Sequence, residues 1–169
     1  MSNSLMGKTF NVLEARRIEG VMVATTDSPV AAALGGGFST LIEWSFNNGT
    51  KAQEISVLLW DEWEELFDTR EQATAMLTHE IGHIVLGHLD NKATSINADG
   101  ILDDIEIEIA ADKYAISRCG VAAVAGMLHS IKRKLPKHYI FSGKKPEDYD
   151  QIVMKFVELI NKRIEALPQ

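Results

Sequence analysis

At 169 residues and 46% apolar content, the chain is long enough for one ordinary hydrophobic core and too short for two comfortable domains, so a single domain over 1–169 is expected. A net charge of −7 argues against nucleic acid as a direct partner, because phosphate binding draws on clustered Lys and Arg. The single cysteine, Cys119, excludes an internal disulfide framework and suits a reducing compartment.

There is no basic start followed by an apolar signal core, and no apolar run of the roughly 18–20 residues needed to span a bilayer. The expectation is a cytoplasmic protein without membrane insertion. Met1 to Lys8 reads as loose chain, and Phe10, Leu13 and Ile18 among charges suggest a short helix ending at Gly20. Val21 to Thr25 reads as a strand. Ser39 to Phe46 alternates Leu41, Glu43 and Ser45 against Ile42, Trp44 and Phe46, and Asn47-Asn48-Gly49-Thr50 closes a hairpin onto a second strand, Gln53 to Trp60. The fold class expected is α+β, with a short, mainly antiparallel sheet. Trp60 to Phe67 is ambiguous between strand end and helical turn, its aromatics suited to a core and its acids to solvent.

Thr69 to Leu86 reads as one helix, capped by Thr69 and stopped by Gly87, with Ala73, Met76, Leu77, Ile81, Ile84 and Val85 as its apolar stripe. It contains His79-Glu80-Ile81-Gly82-His83. Positions four apart lie on one helical face, so both imidazoles can bind one metal ion, while Glu80 beside it can move protons to and from an activated water. Gly82 leaves room for a neighbour to approach between the two histidines. A catalytic zinc ion takes three protein ligands and keeps one position open.

Asn91 to Gly100 is the loop to a second, acidic helix, Asp103 to Ala115, with Ile105, Ile109 and Ile116 on its packed side. Glu108 and Asp112 share a face there. Glu108 could supply the third ligand, and Asp112 could accept the free ring N–H of a ligating histidine. Glu106 is a competitor that lies about 160° round the helix from Glu108. His88 is another, which geometry alone leaves open; its alternative reading is a histidine favoured by the dipole at the helix C-terminus. His129 and His138 read as surface or packing residues, with His138 or Tyr139 able to serve an oxyanion. Gly120 to Leu135 and Pro146 to Leu167 complete the chain as amphipathic helices, the last with Ile152, Phe156, Leu159 and Ile160 in its stripe. The basic cluster Lys132-Arg133-Lys134 with Lys137 reads as a solvated helix end.

HEIGHIVLGH followed by EIAAD resembles the gluzincin metallopeptidases, in which HExxH is joined by ExxAD or ExxAN on the following helix. The nearest likenesses are to the HtpX and prenyl-protease group and to the ImmA/IrrE-type peptidases. The stretch from Gly20 to Ser45 also resembles the strand, small-residue turn and strand of the first group, although Val30 precedes Ala31 where that group commonly has Asn. The resemblance implies a zincin-like domain, one zinc ion held by His79, His83 and Glu108, Glu80 as general base and acid, Asp112 as the carboxylate behind a ligand, and a peptide or protein substrate. A soluble zinc-dependent endopeptidase is the expectation; the alternative is a latent or non-catalytic zinc-binding regulatory protein.

Overall fold

A computed structural model describes residues 2–5, 8–27, 37–45, 48–89, 105–138 and 146–169, the side chains of 2–10, 135–150 and Ile152 apart. The expected loop at Asn91 to Gly100, the Val30-Ala31 turn and Tyr139 lie outside those residues. The architecture is α+β. Six strands form one mixed sheet: β1 (Ser2–Leu5), β2 (Lys8–Phe10), β3 (Glu14–Ile18), β4 (Val21–Thr26), β5 (Gly37–Ser45) and β6 (Lys51–Trp60). Its body is the run β5-β6-β4-β3, which β1 and β2 extend beyond β5. Every pairing is antiparallel except β4 with β6, which is parallel.

The short helix expected before Gly20 is replaced by strand. Glu19 and Gly20 both take positive φ, 51° and 83°, the backbone of a two-residue hairpin turn, and β3 is thereby folded back onto β4. Glu14, Ala15, Arg16 and Arg17 are all exposed, so no apolar face existed to hold a helix against the core. The neighbouring strand supplied the hydrogen bonds instead, and pairing outweighed helix propensity. The start of the chain is likewise strand.

Alternation along the strands sorts residues between the two faces of the sheet. Val21, Val23, Val57 and Leu59 join the helices in the main core, whereas Met22, Ala24, Ile42, Trp44 and Leu58 form a second apolar cluster. Within that cluster, Trp44 Nε1 donates to Ser56 Oγ at 3.1 Å. After β6 the chain makes a 3₁₀ turn, Trp63–Leu66, in which Trp63 and Leu66 are buried while Glu64 and Glu65 stay exposed.

Four helices follow: α1 (Arg70–Val85), α2 (Ile105–Cys119), α3 (Val121–His138) and α4 (Pro146–Glu165). Thr69 caps α1 by accepting from the Gln72 amide at 3.3 Å. Ala73, Met76, Leu77 and Ile81 pack into the core, but Val85, expected in the same stripe, is the last residue of the helix and 50% exposed. Gly82 is where α2 crosses α1. A Cβ at this position would lie 3.0 Å from Tyr114 Cδ1, so glycine permits the close approach. On α2 the buried positions are Glu108, Ala111, Asp112 and Ala115, a stripe at the three and four spacing, and Ile105 and Ile109 are only partly buried. That stripe carries two carboxylates directly against the histidine face of α1.

Arg133 and Lys134 of α3 pair with Asp68 just before α1, and Lys132 Nζ donates to Asn161 at 2.6 Å. The basic cluster is therefore partly spent on joining helices. Among the described residues no helix is long and apolar enough to cross a membrane.

Candidate metal centre

His79 and His83 occupy successive turns of α1, and their Nε2 atoms converge to 3.0 Å. Glu108 reaches across from α2. Its Oε2 lies 3.3 Å from His79 Nε2 and its Oε1 3.5 Å from His83 Nε2. Zinc bonds of about 2.0–2.1 Å at tetrahedral angles would put donor atoms roughly 3.3–3.4 Å apart, so the three side chains already stand at the spacing of a shared ion. All three are buried. Among the described residues this is the one group of His, Cys, Asp and Glu side chains arranged to hold a metal.

The charge around the cluster points the same way. Glu80, Glu108 and Asp112 all act on one buried arginine, Arg163. With neutral imidazoles, the Glu108 and Asp112 carboxylates against one guanidinium leave the centre one positive charge short, and two short whenever Glu80 is ionised as well. Protons supply part of the difference. Burial and Arg163 both oppose charge on His79, yet its hydrogen bonds to Asp112 and Glu108 prevail and lift its pKa to about 9. Burial, reinforced by the charge on His79, pushes His83 down to about 3, so the pair carries a single extra proton. Burial raises the Glu108 carboxyl, but His79 and Arg163 overcome it and hold the group well below the usual carboxylate range.

Asp112 lies where the sequence suggested, behind a histidine. His79 Nδ1 donates to its Oδ1 at 2.9 Å, which leaves His79 Nε2 facing the cluster. Glu106 is exposed and is not one of the three. His88 also stands outside the trio, with its Nδ1 3.1 Å from Nδ1 of His83. His129 is exposed, and the side chain of His138 lies outside the described residues.

Two residues in the centre were not singled out from sequence. Arg163 of α4, 6% exposed, donates through Nε and Nη2 to the two Asp112 oxygens at 2.8 and 2.7 Å, while its Nη1 lies 2.9 Å from Glu108 Oε2. One guanidinium thus holds a carboxylate of the cluster and the carboxylate behind it. Its signal was legible in principle: Arg163 falls three residues after Ile160 and seven after Phe156, a charged residue on an apolar stripe. Ser39 of β5 is the second. Its Oγ is 2.8 Å from Glu80 Oε2 and 2.9 Å from the Glu80 carbonyl oxygen, and the hydroxyl donates to one of the two. Burial raises the Glu80 carboxyl pKa, and the Ser39 hydrogen bond works against that rise.

No protein-family model matches this chain, and no curated protein or solved structure matches it.

Proposed function

We propose that this chain is a zinc-dependent endopeptidase of the gluzincin type, built on a zincin-like domain. The observation that carries the reading is the convergence of His79 Nε2, His83 Nε2 and the Glu108 carboxylate at tetrahedral donor spacing, with Glu80 next in sequence to His79 yet outside the trio. A structural zinc site usually closes all four positions, whereas among the described residues this donor set stops at three and has a carboxylate beside it. A bound zinc ion supplies Lewis acidity, which acidifies water and polarises a carbonyl.

The chain's own groups then have distinct tasks. Glu80 takes a proton from the attacking water and passes one to the departing amine, and burial raises its pKa, the direction that helps it hold the proton between those two steps. Ser39 holds that carboxylate in place. Asp112 fixes the His79 tautomer, and Arg163 holds Asp112 and Glu108 together.

The sheet offers a place for an extended peptide. β1 pairs with β5 only at Glu43, Trp44 and Ser45, so among the described strands Gly37 to Ile42 has a partner on one side alone, β6. A strand added there would bond backbone to backbone with little demand on sequence. It would also run past Ser39, whose hydroxyl touches Glu80.

Metal analysis of protein purified without added metal, joined to proteome-wide cleavage mapping against Glu80→Gln, tests the reading. Zinc near one equivalent with cleavages that vanish in Glu80→Gln is the expected result. Zinc without Glu80-dependent cleavage would leave a zinc-binding regulatory protein in place of the peptidase.

A further inference from the structure

The end of α1 has a geometry that neither reading of His88 anticipated. Gly87 takes φ 69°, its amide donates to the Ile84 carbonyl at 3.1 Å, and the His88 amide donates to the His83 carbonyl at 3.0 Å. These two bonds are the Schellman pattern, in which a left-handed residue after the helix turns the chain back on its last turn. The residue thrown back is His88, and the residue it is thrown onto is His83. Their rings meet as well, Nδ1 to Nδ1 at 3.1 Å, with centroids 5.2 Å apart and planes at 70°. His88 is therefore joined to His83 twice, through the backbone and through the side chain.

The two histidines of the trio are held in matching ways. Each turns Nε2 inward and has Nδ1 engaged from behind, His79 by Asp112 at 2.9 Å and His83 by His88 at 3.1 Å. Hydrogen bonding between two imidazole nitrogens requires one donor and one acceptor. When His83 Nδ1–H donates to an unprotonated His88 Nδ1, the lone pair of His83 Nε2 is left facing His79 and Glu108. The opposite assignment would place a hydrogen on Nε2, where a ligand needs its lone pair.

We propose that His88 is a positioning residue, which fixes the His83 ring and its Nδ1–H tautomer from behind as Asp112 does for His79. This inference rests on the metal-centre reading for its purpose but on the Schellman turn and the ring contact for its geometry. It assigns His88 neither to the metal shell nor to a dipole effect alone.

The test uses the full chain in four forms: the natural sequence, His88→Ala, His88→Asn and His88→Gln. Zinc affinity is measured by competition with a chromophoric chelator, and the imidazole tautomers of metal-free protein are read by ¹⁵N NMR. His88→Ala should weaken zinc by about ten- to a hundredfold, the usual range for losing a partner behind a ligand. Asn carries its Oδ1 near the place of the His Nδ1, so His88→Asn should restore most of the affinity, whereas Gln, one methylene longer, should not. The natural protein should show His83 as the Nδ1–H tautomer, and His88→Ala should show a mixture. Zinc binding unchanged in His88→Ala, or an Nε2–H tautomer at His83 in the natural protein, would overturn the proposal. If the natural protein bound no zinc, the metal reading would fall, and the tautomer would still judge the contact between the two rings.

Discussion

Arg163 and Asp112 meet side by side, two N–H groups of one guanidinium on two oxygens of one carboxylate at 2.8 and 2.7 Å, both side chains buried. This pairing ties the last helix to the second, and through Asp112 to His79 on the first. Arg163→Met would remove the cation that both buried carboxylates share and leave them facing the His79 ring, at a cost of about 3–5 kcal/mol. Urea unfolding of metal-free protein should show that loss, with Arg163→Lys intermediate because an ammonium cannot match the fork. A midpoint unchanged in Arg163→Met would remove the guanidinium from the account of the centre.

Ser39 is expected to tune Glu80. Its hydroxyl stabilises the ionised carboxylate, so Ser39→Ala should raise the Glu80 pKa further and carry the acidic limb of the kcat/KM profile to higher pH. The fold should tolerate the change. An acidic limb that stays in place would show that some other group sets it.

Glu108 and Asp112 should separate by degree. Glu108→Ala removes one of three donors and should abolish zinc retention through dialysis, since a catalytic site has no spare protein ligand. Asp112→Asn should weaken affinity by about ten- to a hundredfold and leave binding measurable. Chelator competition distinguishes the two; retention in Glu108→Ala would exclude it from the metal shell.

Zinc and protons should compete at His79. With a metal-free pKa of about 9, the ring is charged at pH 7 and must lose a proton on coordination. Calorimetry in buffers of different ionisation enthalpy should register release of about one proton, and apparent affinity should rise about tenfold per pH unit until about pH 9. The metal-free fold should respond in the opposite sense. A raised histidine pKa contributes stability that is complete below about 6.5 and is lost as pH climbs through about 9, worth on the order of 3 kcal/mol. Stability rising across that window would contradict a charged His79.

The features legible along the chain are those whose partners are close in sequence. His79 and His83 share a face because four residues span one helical turn, and the same spacing aligned Glu108 with Asp112. Thr69, Gly87 and the Asn48-Gly49 hairpin marked element ends through local backbone preference. The α+β class followed from those periodicities.

Tertiary packing decided what those local rules leave free. The residues before Gly20 became strand because β4 offered an edge, and Val85, the last residue of α1, was left exposed. Ser39 meets Glu80 across 41 residues of chain, and Arg163 approaches His79 across 84, distances over which no helical or strand period carries information. Even His88, five residues from His83, acquired its orientation only from the left-handed turn at Gly87. Sequence by itself determined which donor types stand ready and on which helical face. The crossing of α2 over Gly82 and the docking of α4 decided which oxygens and nitrogens share a buried, low-dielectric volume, where pairing and charge balance take effect.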